Sequence, residues 1–350
     1  MFGRVLPDTR PVRADELGSD TVELTVPGGV VVPAARLGPP PDGHDLPRRL
    51  QDVRDRGAWL ALLADGHDPA AGAALGFSPA TQALAVEVTL PAARRDPLPP
   101  PGPVPVRPME ADEAEAHLPA IHERHRRGQI GQVQRSADRW HDWFHGPSAA
   151  ARRFLVAEGD GGEGYLSYRV RGSDLVVEDV VTVTDRARRA LWDACLDAGV
   201  GPVGPVDRLT AANLPVDEPL GWRLADARAL RVTGLRAFLH LRLVDVAAAL
   251  TARRYNAFDE LVMDVADPVL EANGGRYRLH GSPDGAACIR TQDAPDLTLT
   301  AAELAAAYLG GFDLTTLARA GRVVEHRPGR LQRADAMFSW RPGPWTLSGW

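Results

Sequence analysis

The chain has 350 residues, 44% hydrophobic and 25% charged, with a net charge of -6; this length can bury a core without disulfides or metals, and the acidic balance argues against nucleic acid as a partner. No lysine occurs, so all 40 basic residues are arginine, which excludes a P-loop lysine, a Schiff-base lysine and a Ser-Lys dyad. Two distant cysteines, Cys195 and Cys288, give no disulfide framework, no apolar run approaches a spanning helix and Met1-Phe2-Gly3-Arg4 starts no signal peptide; the expectation is a reduced, cytoplasmic protein with no membrane partner.

Thr21 to Val26 reads as a strand, Val26-Pro27-Gly28-Gly29 as a turn, and Val30 to Val32 as the returning strand of a hairpin. Leu46 to Asp65 has helical character running into the strand-like Ala58 to Leu63. Leu75-Gly76-Phe77 breaks that pattern, and Gln82 to Leu90 is a further strand. Seven prolines then fall within the twelve residues Pro97 to Pro108, which rules out a helix or a central strand and predicts an extended, semi-rigid segment. The chain is accordingly divided into a first α/β unit over 1–96, a linker over 97–108, a second unit over 109–243 and a third over 244–350.

In the second unit Ala111 to Arg127 predicts a helix with an acidic start and a basic end, stopped by Gly128, and Ser136 caps a second helix through Phe144. Phe154 to Glu158, Gly164 to Arg171 and Asp174 to Val183 read as strands, with Asp185 capping a helix over Arg186 to Ala198. The third unit has an amphipathic helix from Val244 to Arg254 and strands at Glu260 to Val265, Gly275 to Leu279, Ala286 to Arg290 and around Leu297 and Leu299. Helices come next at Ala301 to Tyr308, Asp313 to Ala320 and Leu331 to Phe338, an α+β order.

Several motifs match one known family in order. In the third unit they are Leu297 to Thr300, Leu304 to Gly311, Leu317 to Val323, Ala334 to Phe338 and Pro344-Trp345. In the second they are Gly164 to Val170, Arg189 to Trp192, Leu224 to Arg228 and Leu241 to Val246. Together they resemble the Eis (enhanced intracellular survival) family of GNAT acetyltransferases over roughly residues 105–350. The resemblance implies an α/β plus α+β chain: tandem GNAT repeats, here degenerate, followed by a sterol-carrier-protein-like domain. It also implies homo-oligomeric assembly.

The first unit shares Glu23 to Gly29 and Leu75 to Thr81 with the family's catalytic repeat. Between them the family has a strand and an Arg-rich turn opening a helix, whose backbone N–H groups grip the CoA pyrophosphate. This chain has Leu37-Gly38-Pro39-Pro40-Pro41-Asp42-Gly43-His44-Asp45 instead. Prolines supply no N–H donors, Asp42 and Asp45 repel phosphate, and the strand before the turn reads as missing. The family's general-acid tyrosine falls within Asp68 to Ala74, which holds no tyrosine. About 20 residues precede the Val-Pro-Gly-Gly turn, too few for the elements of a full repeat, so the repeat reads as truncated and acetyl-CoA is not expected as a cofactor.

Other constellations carry less. Gly199 to Gly204 spells G-x-G-x-x-G but follows a helix and is broken by Pro202 and Pro205, which makes it a turn. His122 with His125, and His141 with His145, share helix faces without further ligands and read as solvated or capping, so no metal is expected. The run His122 to Arg127 reads as a solvated helix end, and the adjacent acids Glu178-Asp179 and Asp217-Glu218 face opposite ways. Trp140, His141, Trp143 and His145 form an aromatic-rich segment that the resemblance places at a substrate cleft, Trp140 matching a family tryptophan. Trp345 and Trp350 end the chain either as a docked tail or, as the resemblance implies, with the Trp350 carboxylate at the active site. The candidates are therefore Trp350 as a catalytic group and Trp140 and Trp345 as ligand-binding residues, with a small molecule as partner. Three readings stay open: a CoA-independent binder or enzyme, a non-catalytic pseudoenzyme, and an N-acetyltransferase with a remodelled CoA loop.

Overall fold

The computed structural model describes residues 21–38, 46–63, 69–90, 104–159, 161–197 and 205–347. The first part of the chain forms β1 (Thr21–Val26), β2 (Val30–Leu37), α1 (Leu46–Asp55), β3 (Leu60–Leu63), α2 (Pro69–Ala74), β4 (Ser78–Pro79) and β5 (Gln82–Thr89). The middle forms β6 (Val106–Met109), α3 (Ala111–Gly128), α4 (Ala137–His145), β7 (Arg153–Ala157), β8 (Gly164–Arg171), β9 (Asp174–Thr182), α5 (Asp185–Leu196), β10 (Arg208–Leu214), β11 (Leu230–Ala237) and β12 (His240–Leu243). The last part forms α6 (Val246–Ala252), β13 (Asp259–Ala266), β14 (Gly275–Gly281), β15 (Ala286–Arg290), β16 (Leu297–Thr300), α7 (Ala301–Ala307), α8 (Leu314–Arg319), β17 (Val324–Glu325) and α9 (Arg330–Phe338). No helix of the described residues is long and apolar enough to cross a membrane.

Two compact units result. One holds the described residues up to Thr81 together with Ala237–Pro344, and the other holds Gln82–Arg236 with the described residues from Trp345 on. They cut across the linear division read from the sequence because two strands change sheets. β12 completes the order β1-β2-β3-β12-β4, and β5 completes β11-β5-β10-β9-β8-β7-β6. Val106–Met109, the described end of the proline-rich stretch, becomes the edge strand β6, where Pro108 is tolerated.

In the first unit β1 and β2 form an antiparallel hairpin from Thr21↔Ala35 to Val26↔Val30. Gly28 and Gly29 close it at φ of +91° and +68°, a region that β-branched and bulky residues avoid. β2 does not stop at Val32: it runs to Leu37 and pairs in parallel with β3 from Ala34↔Leu60 to Leu37↔Leu63, with α1 as the crossover. The expectation that no strand precedes residues 39–45 is thus corrected. Pro33 lies within β2 just before the pairing with β3 begins, so its missing N–H interrupts no bond on that side.

The same unit holds the sheet β15-β14-β13-β16-β17 and the helices around it. Thr300 and Glu303 form a reciprocal capping box on α7. Arg253 comes just after α6, is fully buried and, among the described residues, bonds carbonyls rather than a carboxylate. Its Nε donates to the Arg254 carbonyl at 3.0 Å, Nη2 to the Phe338 carbonyl at 3.0 Å and Nη1 to the Tyr308 carbonyl. The rings of Tyr255 and Phe338 lie 4.5 and 4.9 Å from its Cζ.

In the second unit α5 covers the seven-stranded sheet with Ala187, Leu191, Trp192, Cys195 and Leu196, one helical stripe. Its cap is Thr184 rather than Asp185, the hydroxyl accepting from Ala187 N–H at 3.2 Å. Ser136 caps α4 as expected. The solvated reading of His122 to Arg127 is corrected: His122, His125 and Arg126 are buried. They continue the α3 face that starts with Ala114, Leu118 and Ile121, so helical position outweighed side-chain polarity. Arg126 is paired with Glu123 at 2.8 Å. His125 places Nδ1 2.9 Å from the Thr182 carbonyl, which puts its proton on Nδ1.

Both buried groups have measurable consequences. Arg253→Met keeps the stem and removes the donors that satisfy the buried carbonyls of Tyr308 and Phe338, so urea unfolding should show a loss of about 3 kcal/mol, against less than about 0.5 kcal/mol for Arg319→Met at the exposed end of α8. Burial pulls the pKa of His125 from 6.5 down to about 4. The unfolded chain therefore binds a proton in that interval that the folded chain refuses, so this contribution to stability is complete above about pH 6.5 and is lost as pH falls toward 4. In His125→Gln, unfolding free energy measured between those pH values should fall less steeply than in the parent.

Candidate functional site

Ligands of open α/β sheets bind beyond the carboxyl ends of parallel strands. Parallel pairs crossed by a helix occur at β2–α1–β3 in the first unit and β9–α5–β10 in the second, and the first unit also pairs β13 with β16 in parallel. The first of these ends is that of β2 and β3. A small cavity of about 60 Å³ lies there, lined by Arg36, Arg49, Asp52 and Arg56 among others. Arg49 donates from Nη1 to the Gly38 carbonyl at 2.8 Å, so this cation is already tied to the chain that leaves β2. The Pro39 to Asp45 stretch lies outside the described residues. α2 stands where the general acid was sought and carries no tyrosine. The five tyrosines of the chain all come after residue 160. The hydroxyls of Tyr255, Tyr277 and Tyr308 donate to the carbonyls of Leu250, Asn273 and Ala249 inside the fold.

In the second unit β9 and β10 run in parallel only from Asp174↔Arg208 to Val177↔Ala211. A bulge at Glu178 shifts the register of β9 against β8 just past that point, between Ser167↔Asp179 and Tyr168↔Val177. Beyond Ala211, Asn213 of β10 is taken by the C-terminal segment. Trp345 Nε1 donates to Asn213 Oδ1 at 3.1 Å, and Asn213 Nδ2 donates to the Thr346 carbonyl at 3.2 Å. Trp345 N–H donates to the Ile130 carbonyl and Leu347 N–H to Gln132 Oε1. Trp345 is fully buried in a core with Leu118, Ile121, Tyr165 and Val181. These surroundings make it a docked anchor. Trp350 and the run Gly199 to Gly204 lie outside the described residues.

Beside this core, α3 and α4 bring the aromatic segment together. Trp140 is half-buried, meets His122 edge-on at 5.2 Å and stacks on Phe144 at 5.8 Å. The Arg135 guanidinium lies over Trp140 at 4.5 Å and Trp143 at 5.1 Å, and Arg152 lies over Trp143 at 4.5 Å. Arg135 pairs with Asp179 at 3.2 Å, both buried, while Glu178 turns the other way to Arg152 at 2.6 Å. Burial pushes the Asp179 carboxyl above its usual range, the Arg135 charge opposing. The sequence singled out Trp140 but not Arg135, Gln132 or Asn213, whose partners lie far along the chain.

His141 and His145 are exposed, and His145 contacts Glu115 at 2.9 Å. Among the described residues no three His, Cys, Asp or Glu side chains are grouped to hold a metal. Cys195 and Cys288 are buried, and desolvation lifts both thiols to about 12, which leaves them poor nucleophiles.

The sterol carrier protein domain matches residues 246–347, and an acetyltransferase (GNAT) domain matches 131–243. An uncharacterized N-acetyltransferase of Streptomyces avermitilis is 33% identical over 359 residues, spanning 95% of this chain and 85% of that protein. The N-acetyltransferase Eis of Mycobacterium tuberculosis is 30% identical over 341 residues, spanning 91% of this chain and 81% of Eis. The crystal structure of Eis1 from Mycobacterium abscessus superposes with a TM-score of 0.81 at 31% identity, covering 94% of this chain and 86% of that one. The tandem GNAT units, the domain at residues 246–347 and these near-complete matches lead to one conclusion: the chain belongs to the Eis family of GNAT-fold N-acetyltransferases.

Proposed function

We propose that this family member does not use acetyl-CoA and instead binds a small organic molecule. The segment Pro39 to Asp45, set between β2 and α1, carries the reading. A pyrophosphate at that point requires successive backbone N–H donors and no competing negative charge; three of the seven residues are prolines and two are aspartates. Three further observations support it. Arg49 is tied to Gly38, α2 itself carries no tyrosine, and in the second unit Trp345–Leu347 take up Asn213 where β9 and β10 part company. Trp140, held by Arg135 and half-open, is the residue assigned to the ligand. The Trp350 carboxylate remains the candidate reactive group on the resemblance alone, and assembly as a homo-oligomer is expected on the same ground.

An N-acetyltransferase with a remodelled loop is the competing reading, favoured by the intact β2–α1–β3 crossover and by the names of the relatives. Calorimetry of the full chain with acetyl-CoA separates the two. No heat of binding at millimolar ligand is expected. Micromolar binding would overturn the proposal and direct the search to acetyl transfer onto a panel of amines.

A further inference from the structure

The seven-stranded sheet has an uncovered corner. β10 is joined to β11 by two short 3₁₀ turns, Pro219–Arg223 and Ala227–Ala229, with no α-helix between them. Below them the core that begins with Leu175, Val177, Leu191 and Trp192 continues to Val86, Leu220 and Leu230. There it opens into a cavity of about 280 Å³ lined by Leu84, Val86, Glu218, Leu220, Trp222 and Leu230. The cavity is open to solvent on one side, so a ligand can enter it from the surface.

The chemistry of the walls narrows the occupant. Among the described residues, Glu218 is the only charged group lining the cavity. Its side chain is buried and both oxygens are engaged: Oε1 accepts from Trp192 Nε1 at 2.9 Å and Oε2 from Arg188. No charge is left for a ligand, and the remaining lining is aliphatic or indole. Trp222 stands at the mouth with 87% of its surface exposed, which leaves one indole face free to stack on a ligand. Val232, on the same face of β11 as Leu230, extends the apolar wall and is 55% exposed.

We infer that this corner is a binding site for an uncharged, flat apolar molecule of about two fused rings, stacked against Trp222. An apolar cavity of about 150 Å³ takes one benzene ring, and the volume here is nearly twice that. A second copy of the chain is a poorer fit. β11 is an edge strand, but Arg231 and Arg236 stand exposed along it, Arg231 held 3.2 Å from Glu87, and charged side chains on an edge oppose strand pairing. The site lies apart from residues 39–45, so the inference holds whether or not acetyl-CoA binds.

The test is a fluorescence titration of the full chain with 1-naphthol, combined with sedimentation velocity. Saturable micromolar binding is expected. Leu230→Trp fills the cavity and should weaken binding at least about ten-fold, and Trp222→Ala about five-fold; because Trp222 is exposed, its loss should leave the melting temperature unchanged. Phe258→Ala, at an aromatic side chain exposed elsewhere, should bind naphthol as the parent does. The inference is overturned if naphthol fails to saturate by millimolar concentration or if Leu230→Trp and Trp222→Ala both bind like the parent. It is also overturned if Trp222→Ala lowers the sedimentation coefficient with naphthol affinity intact, since the patch would then be a contact between copies.

Discussion

Buried arginine without a carboxylate is the constraint on which the C-terminal half of the first unit depends. Arg253 ends α6, and its guanidinium reaches the carbonyls that end α7 and α9. Helix C-termini carry partial negative charge and unpaired carbonyls. One planar fork answers several of them at once, which a lysine ammonium on its flexible stem does less well. The chain has no lysine, and it places guanidinium groups inside the fold elsewhere too. Arg242 on β12 is fully buried and holds both oxygens of Asp267 at 2.7 Å. It packs so closely beneath Gly76 that a Cβ there would fall 2.9 Å from its Cζ. That contact, together with a φ of +78°, is why the Leu75-Gly76-Phe77 break must contain glycine.

The two GNAT units share one piece of architecture, a β-strand, a helix and a parallel β-strand, and differ in the segment beyond its first strand. In the first unit the crossover survives to Leu37↔Leu63 and then enters a segment whose prolines and aspartates suit phosphate poorly. In the second the strands separate after Val177↔Ala211, and the side chain of Asn213 ties down the C-terminal segment. The proposed loss of acetyl-CoA thus has a different physical basis in each unit. β5, which lies before the proline-rich stretch, and β12, which lies after it, each join the sheet formed mainly on the other side of that stretch.

Around the proposed ligand position, electrostatics and packing act together. Arg135 is held by Asp179 below and by the faces of Trp140 and Trp143 above. A buried pair of this kind is costly to break, because removing one partner strands the other charge. The arrangement therefore fixes Trp140 more firmly than a half-exposed ring on a short helix would otherwise be.

Local elements were legible in the sequence because their causes are local. The hairpin at Gly28-Gly29, the Ser136 cap, the strand Asp174 to Thr182 and the helix from Ala301 depend on residues within one turn or one strand of each other. The family was legible for the same reason, since its motifs are short and occur in order. The chemistry against phosphate at Pro39 to Asp45 also belongs to the sequence, because a proline lacks its N–H wherever it is placed. Other features were decided only when distant segments met. Pro33 could sit in β2 because the pairing with β3 starts one residue later. His122, His125 and Arg126 went inside because their helix face meets a core that includes Trp345. Arg135 found Asp179, and Asn213 found Trp345, across 44 and 132 residues. Polarity alone assigns such side chains to water; the free energy that holds them inside comes from partners that no local pattern specifies.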